Sequence, residues 1–228
     1  MTLADLAAEE LDRSSPAQGF AYAVLRAAIL RSVLPPGTPL KHRDIASQLG
    51  VSHAPVRDAI RLLASRGLVS VSPSGDPSVA PLSIAEAGEL FAIRIILEPA
   101  ALQTALPKMN ARILVEADYV LSISDRETDP DVWSGLNSRF HKLLYSASGF
   151  PRLGSMIAEA AAEASRYVRL YAGDANLRAA SQREHALLLD ACRKEQERLA
   201  MDILTTHLTN ARDRLVRRLK TERPAGRG

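Results

Sequence analysis

The sequence RDIASQLGVSHAPVRDAIRLLASRG, residues 43–67, sets the architecture of the N-terminal part of the chain. Its first half predicts a short helix from about Arg43 to Leu49, and Gly50 follows as a residue that can reverse the chain at little cost. Ser52 stands where a hydroxyl can accept a hydrogen bond from an amide in the first turn of a second helix. Pro55 lies in that first turn, where no intrahelical bond is lost. Two helices joined by such a short turn predict a helix-turn-helix.

The second helix of this pair has two distinct faces. Val56, Ile60 and Leu63 repeat at a spacing that places them on one buried face. Another face carries basic and imidazole side chains at four-residue intervals, namely His53, Arg57 and Arg61. One interpretation places this face, together with Ala54, in the major groove of DNA. The alternative is an ordinary amphipathic helix pair, because arginine-rich faces are common on solvated surfaces.

The residues that follow favour the DNA-binding interpretation. Leu68–Val71 alternates like a strand, Pro73–Pro77 is rich in turn residues, and Ser78–Ala80 can return as a second strand. A β-hairpin directly after the second helix predicts a winged helix-turn-helix.

The chain beyond Ser83 has a helical pattern without a convincing strand. Six helices are predicted: Ile84 to about Leu106, Ala111 to about Asp125, Asp131 to about Ala147, Pro151 to about Ala172, Asn176–Lys194 and Glu195 to about Lys220. Short loops between such helices predict an antiparallel bundle. The fold class is therefore mainly α. We expect an N-terminal tail over residues 1–15, a winged helix-turn-helix domain over 16–82, a helical domain over 83–222 and a disordered tail over 223–228.

Charge is unevenly distributed along the chain. Residues 16–80 carry seven basic and three acidic side chains, a net charge of +4, whereas residues 1–15 carry a net charge of −3. Residues 81–228 carry 21 basic and 19 acidic side chains, so the overall net charge of +3 conceals the contrast. A basic excess around the helix-turn-helix is what a polyanion such as double-stranded DNA requires of its partner.

Composition places the protein in the cytoplasm. The single cysteine, Cys192, excludes an internal disulfide framework. The acidic N-terminus lacks the basic and then apolar pattern of a signal peptide. No apolar run approaches the length needed to cross a bilayer, so we expect no membrane partner. Aromatic residues are only 4% of the chain against 46% hydrophobic residues, which predicts an aliphatic core.

Residues 18–82 resemble the DNA-binding domain of the GntR family of bacterial transcription regulators. The matching residues are Ile29, Leu34-Pro-Pro-Gly37, Leu40, Ile45-Ala46, Leu49-Gly-Val-Ser52, Pro55-Val-Arg57, Ala59-Ile60, Leu63 and Gly67-Leu-Val69. The resemblance implies that seven residues approach DNA: Arg43, Ser52, His53, Ala54, Pro55, Arg57 and, in the wing, Gly75. His53 stands where the family usually has arginine, so a bidentate contact with guanine would be lost or replaced.

The second part of the chain resembles the FCD ligand-binding domain of FadR-like GntR regulators, and its six helices are closer to the VanR-type branch. The matching residues are Leu90-Phe91, Arg94, Leu97-Glu98, Phe140-His141, Glu184-His185 and His207-Leu208. The resemblance implies that residues 83–222 bind an effector and dimerise. It also implies a divalent metal site.

The expected metal ligands are Asn137, His141, His185 and His207. Asn137 and His141 are four residues apart and so share a helix face, while the other two histidines lie on two further helices. Three imidazoles and an oxygen suit zinc first, and nickel or manganese as well. The family usually has aspartate in place of Asn137, so a weaker hold on the metal and a stronger preference for an anionic effector are expected. Three separate histidines at the surface or with single partners are the alternative.

Arg94 is an isolated charge in the apolar stretch Phe91–Glu98. The resemblance implies that it faces the bundle cavity and binds an anionic effector, because its planar fork suits a carboxylate. An internal salt bridge with Glu98, four residues on, is the alternative.

The leading hypothesis is a ligand-responsive transcription regulator, expected to be a repressor, that binds a palindromic operator as a homodimer and senses a small carboxylate. A metal-dependent hydrolase that uses the three histidines is a second hypothesis. It lacks a positioned general base, since Glu184 adjoins His185 and should point elsewhere. A third hypothesis is an architectural DNA-binding protein with a structural metal, which would not respond to small molecules.

Overall fold

A computed structural model describes residues 2–9 and 16–222, except for the side chains of Tyr171 and Glu222. The chain divides into two compact units, Met1–Leu82 and Ser83–Gly228. The tail expected over residues 223–228 lies outside the described residues.

The N-terminal unit contains four helices and a two-stranded sheet. The elements are α1 (Leu3–Glu9), α2 (Ala17–Leu30), α3 (His42–Leu49), α4 (His53–Ser65), β1 (Val69–Val71) and β2 (Pro77–Val79). Gly50 ends α3 at φ 65°, in the left-handed region that favours glycine. The two strands pair antiparallel, with Val69 opposite Val79, and Pro39 adds an isolated bridge to Ser78. The predicted winged helix-turn-helix is confirmed.

Two details of this unit differ from the expectations. Residues 3–9 of the expected tail form α1, whose Leu3 and Leu6 are buried against α2 and α3, so this segment is part of the folded unit. Residues 10–15 lie outside the described residues. Ser52 occupies the N-cap position of α4 but makes no side-chain hydrogen bond with the amides of this helix. An exposed hydroxyl can exchange such a bond for water at little net cost.

The C-terminal unit is a bundle of six α-helices. They are α5 (Ile84–Ala105, followed by a 3-10 turn over Leu106–Lys108), α6 (Ala111–Ser124), α7 (Pro130–Tyr145), α8 (Pro151–Ala172), α9 (Ala175–Arg193) and α10 (Glu197–Glu222). Each predicted helix begins and ends within two residues of these bounds. Side chains of Asn110, Asp129 and Asp174 accept hydrogen bonds from first-turn amides of α6, α7 and α9.

The core of this unit is mainly aliphatic, as the composition predicts. Leu102 of α5, Leu144 of α7, Leu188 of α9 and Leu204 of α10 are fully buried in one cluster with Phe140. Helix α5 packs against both α8 and α10. These contacts bring α5, α7, α9 and α10 around the side chains that form the candidate site.

The expectation about apolar length is wrong for α5. Residues Ile84–Lys108 are long and apolar enough to cross a membrane by length and composition alone. The core helix of a soluble protein passes the same test. Helix α5 buries Leu90, Phe91, Ala101 and Leu102 in the bundle, so its apolar composition is that of a core helix.

Candidate DNA interface and metal centre

The two faces predicted for α4 are present. Val56, Ile60 and Leu63 are buried in the core of the N-terminal unit. The opposite side chains are solvent-exposed: Ser52, His53, Ala54, Arg57 and Arg61, with Pro55 half-buried. Arg43 is also exposed, one residue into α3. The face that we expect to meet DNA is therefore accessible.

An acidic residue that the sequence analysis passed over lies between the two arginines of α4. Asp58 Oδ1 is 3.8 Å from Arg57 Nε and 3.8 Å from Arg61 Nη1. Such exposed pairs contribute about 0–1 kcal/mol, so phosphate can replace the carboxylate as the partner of either guanidinium. Arg57 and Arg61 share this face because they are four residues apart on α4.

The tip of the wing is ordered by a second group of residues that the sequence analysis did not single out. The Ser74 hydroxyl donates to Asp76 Oδ2 at 2.6 Å and lies 2.7 Å from the Ser72 hydroxyl. The Asp76 amide donates to Ser72 Oγ at 3.0 Å. Gly75 is exposed at φ 90°, a conformation that side chains with a Cβ rarely adopt. The glycine expected near DNA is thus also the residue that lets this turn form.

In the C-terminal unit, three of the four expected metal ligands lie together. His141 of α7, His185 of α9 and His207 of α10 are buried and each offers one ring nitrogen within 4.8 Å of the others. The ring centroids are 4.5 Å apart for His185 and His207, and 5.1 and 5.2 Å from these to His141. The three histidines are therefore buried together and do not lie at the surface.

His185 Nδ1, the ring nitrogen that faces away from the other two histidines, has a hydrogen-bond partner. This partner determines which ring nitrogen of His185 carries the proton. His185 Nδ1 lies 3.1 Å from Gln182 Oε1. The amide group of Gln182 donates to the Leu121 carbonyl of α6 at 3.2 Å, so its oxygen is oriented to accept. His185 therefore carries its proton on Nδ1 and leaves a lone pair on Nε2.

His207 is held from the neighbouring helix by a carboxylate. His207 Nδ1 donates to Glu184 Oε2 at 2.7 Å, while Asn210 and Arg214 donate to Glu184 Oε1 at 2.9 and 2.5 Å. Glu184 thus points towards His207, and the expectation that it points elsewhere is wrong. The side chains of adjacent residues point about 100° apart around a helix axis. Glu184 and His185 on α9 can nevertheless both contact His207, because the His207 ring on α10 lies between their side chains.

His141 is oriented through a tyrosine. The Tyr145 hydroxyl donates to Glu98 Oε2 at 2.6 Å and lies 3.2 Å from His141 Nδ1. Because this hydroxyl has one proton and gives it to Glu98, it accepts from His141 Nδ1. His141 Nε2 is buried and has no hydrogen-bond partner within the described part of the chain.

These contacts fit a divalent metal ion. Each imidazole has an acceptor at Nδ1, namely Tyr145, Gln182 or Glu184, so Nε2 is the nitrogen that each ring has left for a metal. His185 Nε2 and His207 Nε2 are 3.2 Å apart. Two nitrogen ligands of a tetrahedral zinc ion, each at 2.0–2.1 Å from the metal, would stand about 3.3 Å apart. A cation at this point would satisfy His141 Nε2 and could take the Nε2 atoms of His185 and His207 as further ligands.

The electrostatics keep these ligands in the form that binds metal. Burial, and then the neighbouring histidines, lower the pKa of His141 and His185 well below 6.5, so both rings are neutral at physiological pH. Burial alone would raise the pKa of Glu184, but the hydrogen bonds from His207 and Arg214 outweigh it and lower the pKa to about 2. Burial and Glu98 raise the pKa of Tyr145 well above 10, so its hydroxyl remains a donor.

Asn137 and Arg94 are the remaining residues of the expected site. Asn137 is half-buried and precedes His141 by one turn of α7, on the same face. Arg94 is buried, and its Nε donates to Glu98 Oε1 at 2.5 Å, with the Phe91 ring 5.1 Å away. The internal salt bridge is therefore present, and binding of an anion by Arg94 remains a prediction.

The winged helix-turn-helix beside an all-helical unit defines a class of DNA-binding transcription regulators. Comparison with known families gives the same class and a particular family. Residues 17–75 match the model for bacterial regulatory proteins of the gntR family, and residues 89–210 match the model for the FCD domain. Because the FCD match spans more than half of the chain, the protein belongs to the FCD-containing gntR family of bacterial transcription regulators.

Individual relatives agree with this assignment. The chain is 28% identical to a helix-turn-helix-type transcriptional regulator of an unstable DNA locus in Streptomyces ambofaciens, over 82% of this chain and 80% of the relative. It is 25% identical to the transcriptional regulator YdhC of Bacillus subtilis, over 88% of this chain and 92% of the relative.

Solved structures have the same fold. The chain matches a GntR family member from Pseudomonas syringae pv. tomato with a TM-score of 0.56 and 27% identity, covering 96% of this chain and 94% of that one. The match to McbR/YncC of E. coli has a TM-score of 0.75 at 23% identity, over 90% of this chain and 99% of that one. These families and relatives are transcription regulators and not enzymes, which excludes the hydrolase hypothesis.

Proposed function

We propose that this cytoplasmic protein is a ligand-responsive repressor that binds a palindromic operator as a homodimer and senses a small carboxylate at a metal site. The observation that carries the proposal is a buried group of three imidazoles with converging lone pairs, in a chain that also presents a basic recognition helix. DNA binding and metal-dependent sensing are assigned to different units of the chain.

The DNA-binding half of the proposal rests on the exposed side of α4. Ser52, His53, Ala54, Pro55 and Arg57 would approach base edges and phosphates in the major groove, with Arg43 of α3 and Gly75 of the wing at its margins. One winged helix reads one half-site, so a two-fold dimer supplies the second reader for an inverted repeat. The basic excess of residues 16–80 favours this polyanionic partner.

The sensing half of the proposal rests on the histidine cluster. His141, His185 and His207 would hold the ion through Nε2, and Asn137 would supply an oxygen. Zinc suits this ligand set best, and nickel or manganese is also compatible. When bound, the ion supplies a Lewis-acidic position for a carboxylate oxygen. Four neutral ligands leave the charge of the ion uncompensated, which favours an anionic effector.

Arg94 would provide the second contact with that effector. Its guanidinium can bind a carboxylate through two parallel hydrogen bonds. Without effector, Glu98 occupies this role, as the 2.5 Å contact between Arg94 Nε and Glu98 Oε1 indicates. An effector carboxylate would then compete with an internal one.

Metal analysis of the purified protein tests the site. We expect about one divalent ion per chain, and less in each of the variants His141→Ala, His185→Ala and His207→Ala. His42→Ala is the matched control, because His42 is a half-buried histidine of the other unit. Equal metal content in the wild type and all three cluster variants would exclude the site.

A thermal-shift screen separates a sensor from an architectural protein with a structural metal. Small mono- and dicarboxylates are added to the metal-loaded protein and to protein treated with a chelator. A sensor should be stabilised by some of these anions only when the metal is present. Stabilisation by metal with no response to any carboxylate would favour the architectural protein.

A further inference from the structure

A line of buried hydrogen bonds joins α5 to the histidine cluster. Arg94 Nε donates to Glu98 Oε1 at 2.5 Å, and the Tyr145 hydroxyl donates to Glu98 Oε2 at 2.6 Å. The same hydroxyl lies 3.2 Å from His141 Nδ1. All four residues are less than 7% exposed, so water does not compete for these bonds. The side chain expected to bind an effector is thus linked to a metal ligand through two intermediates.

The direction of each bond follows from the chemistry of the groups. A guanidinium can only donate and a carboxylate can only accept, so Glu98 accepts from Arg94 at one oxygen and from Tyr145 at the other. The Tyr145 proton is then committed to Glu98, and the tyrosine oxygen can only accept from His141 Nδ1. This sets the tautomer of His141 and directs the lone pair of its Nε2 towards His185 and His207.

We infer that Tyr145 is a positioning residue for the metal ligand His141, and that the Arg94–Glu98 pair fixes the orientation of the Tyr145 hydroxyl. This inference rests on the proposed metal site. Outer partners of metal-bound histidines set ring orientation and ligand basicity, and their loss typically costs 10–100-fold in metal affinity. An effector that draws Arg94 away from Glu98 changes the group that orients Tyr145, so effector and metal binding are coupled, and the coupling is reciprocal.

The chain contains a matched control for this role. The Tyr167 hydroxyl donates to Glu86 Oε2 at 2.5 Å and accepts from the Ser83 amide at 3.3 Å. Tyr167 is fully buried, as Tyr145 nearly is, and its glutamate partner also lies on α5. Neither of these two hydrogen bonds of Tyr167 involves any of the three histidines. Tyr145→Phe and Tyr167→Phe therefore remove similar hydrogen bonds, and only the first touches a proposed metal ligand.

The experiment measures metal affinity for the full chain. Metal is removed with a chelator, and Zn²⁺ is returned in competition with a chromophoric chelator for the wild type, Tyr145→Phe and Tyr167→Phe. We expect Tyr145→Phe to weaken Zn²⁺ binding 10–100-fold and Tyr167→Phe to change it less than twofold. Loading with Co²⁺ should give a changed visible absorption spectrum in Tyr145→Phe alone. Thermal unfolding of both variants shows whether each is folded.

Each outcome has one meaning. A folded Tyr145→Phe protein with wild-type Zn²⁺ affinity overturns the positioning role and leaves the metal site standing. A wild-type protein that does not compete for Zn²⁺ overturns the metal site and this inference together. If Tyr145→Phe does not fold, ¹⁵N spectra of the histidine rings in metal-free wild type decide the question. His141, assigned by its loss in His141→Ala, should carry its proton on Nδ1, and a proton on Nε2 overturns the inference.

Discussion

The three imidazoles of the cluster differ in the partner of their outer nitrogen. Tyr145 and Gln182 are neutral acceptors for His141 and His185, whereas Glu184 is a carboxylate with a pKa of about 2 and is therefore ionised near neutral pH. A carboxylate raises the basicity of the imidazole that donates to it. In the proposed metal site, His207 should therefore be the strongest of the three ligands.

Asn137 allows a test of the fourth ligand position. Asn137→Asp adds a negative charge one turn before His141, so metal affinity should rise if this side chain ligates the ion. Zn²⁺ affinity by chelator competition is the measurement. Ser138→Asp is the control for a charge nearby on the same helix, because Ser138 is adjacent and exposed. An equal rise in Zn²⁺ affinity from both substitutions would show that the added charge acts only through its electric field. Residue 137 would then not be a ligand of the ion.

The single cysteine provides a pH-dependent probe of the folded core. Burial raises the pKa of Cys192 to about 12, so the neutral thiol persists through pH 9, where a free cysteine would be largely thiolate. Ellman's reagent should therefore react slowly with folded protein at pH 8 and 9, and with one thiol per chain in denaturant. Fast reaction at pH 8 without denaturant would mean that α9 is open around Cys192.

At the scale of elements, sequence reasoning located helices better than it located contacts between them. The bundle helices are predicted within two residues because helix ends depend on local residues: in the structure Pro130 and Pro151 begin α7 and α8, and Asp129 and Asp174 cap α7 and α9. The spacing of Asn137 and His141 is likewise a property of one helix. Tyr145 follows His141 at the same spacing, but its proposed positioning role depends on a contact with Glu98 on α5, which the spacing does not predict.

Contacts between helices depend on how two helices are rotated and shifted, which no single-helix pattern records. The expectation for Glu184 failed for this reason: its direction was judged from α9 alone, while its partners His207, Asn210 and Arg214 all lie on α10. The Arg94–Glu98 pair could be anticipated, because both residues lie on α5 at a spacing of four.

The exposed side of α4 gives the prediction that belongs to the DNA-binding element. Arg57→Ala and Arg43→Ala should weaken binding to an operator while leaving the fold intact, since both side chains are exposed. If either side chain contacts a phosphate, the slope of log affinity against log salt should fall by about one. Sites selected from random duplex DNA supply the operator, and fluorescence anisotropy measures binding.

Arg152→Ala is the control for this DNA-binding prediction, because Arg152 is an exposed arginine of the other unit. Wild-type affinity and salt slope in both recognition variants would argue against the proposed DNA face. His53→Arg should change which half-site sequence is preferred more than it changes non-specific affinity, since arginine reads guanine through two hydrogen bonds.

At the scale of the whole molecule, regulation requires that the effector bind the DNA-competent and DNA-incompetent states with different affinities. The two proposed sites lie in separate units, at α4 in Met1–Leu82 and at the histidine cluster in Ser83–Gly228. Substitutions in the cluster should therefore change the response to effector without changing basal DNA affinity. A variant of Arg94 tests this separation most directly.

If a carboxylate bridges the metal and Arg94, its effect on DNA binding should need both. Using a carboxylate identified by thermal shift, we expect Arg94→Ala, or removal of the metal, to abolish release of DNA while basal affinity stays at the wild-type value. Removal of Arg94 leaves the buried Glu98 carboxylate without its cation, which can cost about 3–5 kcal/mol of stability. Melting temperatures must therefore accompany the anisotropy measurements. The double variant Arg94→Gln/Glu98→Gln removes both charges and provides a neutral comparison if the single variant unfolds. Release of DNA at the wild-type carboxylate concentration by a stable variant of either kind would show that Arg94 is structural and that the anion is held by the metal alone.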